Sequence, residues 1–288
     1  MYPGSALGEF LRSRRGRVTP EEVGLRPGVR HRRVAGLRRE ELAPLAGVSV
    51  GYYTRLEQGQ GPHVSAEVLD AIARVLRLDD DERAHLHRLA RAAAQPHPPA
   101  RPELLRPGIK RTVESFADVP AWAVGRRADV LAWNRLAHAL FAPHLDLDAP
   151  EREPRPNFAR MDFLDDRYRD AYVDWESKAR DDIAYLRVSM GRFPGDEGLR
   201  ELVEELTAGS AEFGAMWAEH PVSNCASISR GYRHPELGVL TLTAELLRTP
   251  DDEGQGIVIF QPDPESEALL SALASPGGPD GRRGGGAA

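Results

Sequence analysis

The chain has 288 residues, enough for two average domains, and 41% hydrophobic with 28% charged residues excludes a mostly disordered chain. No apolar run approaches the roughly 18 residues of a membrane span, and the start MYPGSALGEF lacks a basic-then-apolar signal, so no membrane contact and a cytoplasmic location are expected. The lone Cys225 excludes an internal disulfide and a cysteine-based zinc site, while the net charge of −6 hides a division: residues 1–60 carry 11 arginines against 6 acids, and residues 96–288 carry 22 basic against 32 acidic side chains.

Leu7, Phe10 and Leu11 give the first helix one apolar face after the candidate cap Ser5, and that helix ends by Gly16. From Arg17 to Gly36 the period is lost among Pro20, Gly24, Pro27 and Gly28, which predicts a long basic loop carrying Arg26, Arg30, Arg32 and Arg33. Short helices are expected over Arg39 to Ala46, Val50 to Gln58 and Ser65 to Leu76, the last with Val68, Leu69, Ile72, Val75 and Leu76 at helical spacing. Asp79 and Glu82 form an acidic capping box for a fifth helix that runs to about Ala94. Gln95 to Gly108 holds five prolines and predicts an extended linker.

Beyond it, Ala121 to Gly125 and Val130 to Asn134 flank a short connection, as in a hairpin. Three apolar helical faces follow: Trp175, Ala179, Ile183, Leu186 and Met190; Leu199, Leu202, Val203 and Leu206; then Phe213, Met216 and Trp217. Ile228 to Tyr232, Val239 to Leu246 and Ile257 to Phe260 suggest a late antiparallel meander, and the Gly-rich Gly277 to Ala288 a disordered tail. The organisation expected is therefore a helix-turn-helix domain at 1–95, a Pro-rich linker at 96–112, an α+β domain at 113–272 and a tail at 273–288.

A helix-turn-helix requires two short helices crossing steeply, a small residue where they touch and a glycine in the turn. Leu42, Ala46, Val48, Tyr53 and Leu56 supply the apolar set, Ala43 the small contact, and Gly47 the turn. Ser49 caps the second helix. With Tyr53 and Leu56 inward, Val50, Gly51, Thr54, Arg55 and Gln58 face outward, where Arg55 could fork onto guanine and Val50 pack on a thymine methyl. Two residues depart from a regular pattern. Pro44 removes a backbone donor inside the first helix of the motif, and Gly51 offers no side chain for readout. Arg14, Arg15, Arg32 and Arg33 are further phosphate candidates.

These residues resemble the XRE or lambda-Cro helix-turn-helix family, and the run GLRREELAPLAGVSVGYYTRLEQGQ is similar to MmyB-like regulators of actinobacteria. The resemblance extends to DVPAWAVGRRADVLAWNRLAHALF and YVDWESKARDDIAYLR, so it covers most of the chain. It implies a lambda-repressor-like all-α N-terminal domain and a PAS-like α+β domain with an antiparallel sheet. It also implies that Arg39 holds a DNA phosphate, and that a small molecule enters a pocket between sheet and helices. Trp122, Trp133, Phe141, Phe158, Phe163, Trp175, Phe213 and Trp217 are candidates to line that pocket, with Asn134 and Arg160 as polar anchors; a fatty-acid-like ligand is one candidate. The partners expected are double-stranded DNA with a pseudo-palindromic operator and a second copy of the chain, with no cofactor and no metal. Two other readings stay open: a second domain that binds only a protein, and an enzyme. The second finds little support in the sequence, which has no Gly-x-Ser-x-Gly elbow, no His-Glu-x-x-His and no phosphate loop, and Gly59-Gln60-Gly61 lacks a third glycine. His85, His87, His220 and His234 have no partner at ligand spacing.

Overall fold

The structure, a computed structural model, describes residues 6–25, 36–60, 63–93, 102–221, 227–249 and 254–274. Ser5, Arg26, Arg30, Arg32, Arg33, Cys225 and the Gly-rich tail lie outside the described residues. The chain divides into two compact units, one of residues 1–100, 187–197 and 216–224, the other of 101–186, 198–215 and 225–288.

The N-terminal part of the first unit is helical: α1 (Ala6–Arg17), α2 (Arg39–Leu45), α3 (Val50–Glu57), α4 (Ala66–Val75) and α5 (Asp80–Ala93). Their inner faces bury Phe10, Leu11, Leu42, Tyr53, Leu56, Ile72 and Leu86, joined by Leu37 from the segment before α2, each large side chain contributing about 1.5–3 kcal/mol of transfer free energy. The starts are fixed locally. Ser49 accepts from the Tyr52 N–H (3.1 Å) and Ser65 from the Val68 N–H (3.4 Å), while Asp79 and Glu82 bond each other's backbone N–H (2.8 and 3.3 Å) as a reciprocal box. Pro44 lies in α2 with its ring exposed, and Ala46 and Val48 still donate to Leu42 and Ala43 at 3.0 Å. Gly47 takes φ 69° in the turn, where a side chain would be strained. At the crossing of α1 and α3, a Cβ on Gly8 would stand 2.0 Å from the Glu57 carbonyl oxygen, so the two backbones touch.

The second unit begins within the expected linker. Residues 107–112 are not extended but form the start of α6 (Pro107–Ser115), with Pro107 in the first turn, where its missing N–H costs nothing. A tight hairpin then joins β1 (Ala121–Val124) to β2 (Val130–Trp133). The chain continues through α7 (Arg135–Phe141), α8 (Phe158–Leu164), α9 (Asp166–Ala171), α10 (Trp175–Arg192), α11 (Glu197–Gly209) and α12 (Ala211–Ala218). It returns as β3 (Ser227–His234), β4 (Gly238–Arg248) and β5 (Gly256–Pro262). The five strands form one antiparallel sheet in the order β2-β1-β5-β4-β3, because β5 pairs back onto β1 with Trp122 opposite Val258. This is the α+β arrangement expected, with the hairpin and the meander joined through β5. Alternation gives the sheet two apolar faces. Ala121, Ala123 and Ile259 pack on one side with Ile109 and Val113 of α6. Trp122 and Phe260 on the other meet Phe141 of α7. A last helix, α13 (Pro264–Ala274), was not expected; Asp263 starts it by accepting from the Ser266 N–H (2.8 Å), and Leu270 anchors it. Among the described residues, no helix is long and apolar enough to cross a membrane.

Candidate nucleic-acid interface and ligand cavity

The faces of α3 separate sharply. Tyr53, Leu56 and Glu57 are buried, whereas Val50, Gly51, Arg55 and Gln58 are exposed, Thr54 is half-buried and Ser49 is exposed at the cap. Gly51 has open space around it, so the backbone there is accessible. The inner face carries a feature the sequence reasoning did not name. Glu57, fully buried, accepts at 2.7 Å from the Nε of Arg15 and at 2.7 Å from the Nε of Arg39. Burial alone would raise its carboxyl, but the hydrogen bonds and charges of the two arginines outweigh this and hold it below the usual range. Arg15 also donates to the Leu37 carbonyl (2.7 Å), and Arg14 pairs with Glu82 (2.7 Å). Both phosphate candidates on α1 thus have internal partners. Arg39 sits at the first turn of α2, half-buried, with its Nε committed to Glu57.

The ten candidate ligand residues do not share one cavity. Trp122 and Phe141 come together with Phe260 at ring separations of 5.0, 4.9 and 4.5 Å. Phe163 forms another group, edge-on to Trp175 (5.7 Å) and Phe213 (4.9 Å). Phe158 packs on Tyr185 (5.2 Å). Trp217 lies under the Arg187 guanidinium (3.9 Å), in a segment that belongs to the first unit. Arg160 forks onto Glu205 at 2.8 and 2.7 Å, exposed. Asn134 is fully engaged: its carbonyl accepts from Ala121 (3.2 Å) and Ala137 (2.8 Å), and its amide donates to Phe116 (2.9 Å) and Val119 (2.8 Å).

An open groove of about 1100 Å³ runs beside α6 and β2, lined by Phe116, Trp133, Asn134 and Leu136 among others. On its rim Lys110 pairs with Glu151 (2.6 Å) and Arg152 with Asp146 (3.2 Å). A second space, about 40 Å³, lies between the sheet and the helices, lined by Phe141, Tyr172, Lys178, Ile228, Arg230, Tyr232, Leu242, Ala244 and Phe260. It is far smaller, but it joins an aromatic wall to two partly buried cations, which is the combination that orients an amphipathic ligand.

Residues 105–275 match the family model described as the MmyB-like transcription regulator ligand binding domain. The chain belongs to the MmyB-like transcription regulators. Residues 6–86 match a helix-turn-helix domain, so this MmyB-like regulator is a DNA-binding transcription regulator with a ligand-binding domain behind its helix-turn-helix. No curated protein matches it.

Within the ligand-binding domain of the regulator, the cations at the small cavity are held from behind. The Lys178 ammonium donates to Asp162 of α8 (2.5 Å) and to Asp182 one turn along α10 (2.5 and 2.6 Å). Arg230 of β3 pairs with Asp181. Burial would lower the lysine, yet the two carboxylates outweigh it and hold Lys178 above the usual range. Asp182 is pushed well above the carboxylate range, by burial first and then by Asp162, with Lys178 opposing. Two buried donors near these walls, the Arg230 Nε and the Trp122 Nε1, have no hydrogen-bond partner among the described residues. Lys178, Arg230, Tyr172, Tyr232 and Phe260 escaped the sequence reasoning. One signal was available: Ile228, Arg230 and Tyr232 alternate along β3, so a charged residue falls in the inward phase of a strand.

Proposed function

We propose that this regulator binds a pseudo-palindromic DNA operator as a homodimer, in the cytoplasm, with α3 in the major groove. Ser49, Val50, Gly51, Thr54, Arg55 and Gln58 face the bases, and Arg39 faces a phosphate. The division of α3 into a buried inner face and an exposed outer one supports the reading, because a short helix docks in the groove only when one side is free of the core. Phosphate contacts set affinity and salt dependence; base-edge contacts set sequence preference. Arg55→Ala should therefore cost about 1–3 kcal/mol at the cognate site and relax preference at one base pair. Nonspecific affinity should hardly change. Mobility-shift titrations on cognate and random duplexes check this, and an equal loss on both would make Arg55 a phosphate contact and overturn the docking.

The ligand, on this reading, is a fatty-acid-like carboxylate. Its charged end meets Lys178 and Arg230, and its chain takes the side of Phe141, Phe260 and Trp122. A space of about 40 Å³ holds no more than one or two waters, so entry requires those rings to move, and such a rearrangement is what a regulatory ligand needs in order to shift one state of the domain against another. The open groove beside α6 favours a second reading, in which this domain engages only a protein partner.

A further inference from the structure

The Lys178 cluster carries a charge imbalance that bears on how an anion could enter beside it. Asp162 and Asp182 both accept from one ammonium, and all three side chains are largely or fully buried, with exposures of 3% and 6% for the acids and 14% for the lysine. The other charged or titratable groups around them are Tyr168 of α9, Tyr172 and Asp174 ahead of α10, Asp181 on α10, and Arg230 and Tyr232 on β3. Arg230 and Asp181 cancel. Tyr168, Tyr172 and Tyr232 are all raised by burial and stay neutral through the physiological range. Asp174 is exposed to solvent and accepts from the Ser177 N–H (3.0 Å) at the start of α10, so what remains within the buried cluster is one lysine against two carboxylates. With both carboxylates ionised the cluster is net negative and repels an anion from the cavity that Lys178 lines; with a proton on Asp182 it is neutral, and the ammonium can attract one.

We propose that the cavity beside Lys178 receives an anionic ligand only together with a proton on Asp182, so that ligand affinity in this domain is coupled to pH. This rests on the carboxylate reading of the ligand given above. The balance is simple: the ligand enters as the carboxylate, Asp182 takes one proton from solvent if it was ionised, and no bond within the ligand changes. Where Asp182 is already protonated, binding takes up nothing; above its ionisation, one proton is taken up per ligand and affinity falls about tenfold per pH unit. Asp182→Asn, which mimics the protonated form in shape, removes the linkage.

The test uses the full chain and dodecanoate, titrated by calorimetry between pH 6 and 9 in pairs of buffers with different ionisation enthalpies. The fatty carboxyl is itself ionised throughout this range. The expected result is a wild-type affinity that weakens with rising pH, proton uptake that climbs towards one, and a flat profile for Asp182→Asn. A flat wild-type profile with no proton uptake, or an Asp182→Asn protein that keeps the slope, overturns the proposal while leaving the ligand reading intact. If dodecanoate gives no binding at any pH, the ligand reading falls and takes the proposal with it. Should Asp182→Asn fail to fold, the wild-type proton count in two buffers decides alone.

Discussion

Replacing Glu57 by alanine removes the one carboxylate that two arginines share inside the helix-turn-helix core. Deleting one partner of a buried pair costs about 3–5 kcal/mol, because the other charge is left without a counterion. Here the loss is smaller. Arg39 is 35% exposed and regains water, whereas Arg15, at 14%, does not. Discounting the Arg39 bond as a partly screened pair, Glu57→Ala should destabilise by about 2–4 kcal/mol, and Glu57→Gln, which keeps the volume and an acceptor, by about 1–2 kcal/mol. The variants also differ in acid. Because the Glu57 carboxyl is held below its ordinary 4.5, its contribution is fully present above that value and is lost as pH falls through the lower folded one. The wild type should therefore lose stability below about pH 4.5 more steeply than Glu57→Gln. Far-UV circular dichroism in urea is the suitable probe, because it reads the helices of residues 1–95 directly, whereas the four tryptophans, at 122, 133, 175 and 217, all lie outside that segment. If Glu57→Ala unfolds within about 0.5 kcal/mol of wild type, a range typical of surface substitutions, the buried pair is not what fixes α3 to α1 and α2.

Gly8→Ala reverses the usual rule for helices: at an open site alanine stabilises by about 1 kcal/mol, but here its Cβ would lie 2.0 Å from the Glu57 carbonyl oxygen, so a loss of about 1–3 kcal/mol is expected from forced separation of α1 and α3. Urea melts of Gly8→Ala beside Gly16→Ala, where nothing lies within 4 Å, show the contrast, and equal effects at the two sites would refute it. Asn134→Ala, which strips four hydrogen bonds from the start of α7 and the edge of β1, should cost about 2–4 kcal/mol, read as an earlier tryptophan-fluorescence transition; a stable variant with altered ligand affinity would instead make Asn134 a ligand contact.

The helix-turn-helix was legible because its constraints are local. Gly47 needs its turn, Ser49 its cap, and Tyr53 and Leu56 their common face, all within a dozen residues. Glu57 lies on that face too, one turn after Tyr53, and a buried acid demands a cation; but Arg15 and Arg39 reach it from other helices, and no spacing in the sequence ties either one to it. The sheet divides the same way. Alternation marks the β1–β2 hairpin and the meander of β3, β4 and β5, whereas the pairing of β5 on β1 joins segments separated by the whole helical middle of the chain. Aromatic residues were the weakest guide to the ligand cavity, because burial is non-directional: Trp122 and Phe141 gather near the cavity while Phe163, Trp175 and Phe213, equally apolar, gather elsewhere. The informative residues were charged. A lysine with an aspartate four positions on looks like an ordinary solvent-facing helix pair, and only the approach of Asp162 from α8 turns Lys178 and Asp182 into a buried cluster with an unmatched charge. That mismatch is a property of three side chains on two helices, so it arises with the tertiary fold and with nothing before it.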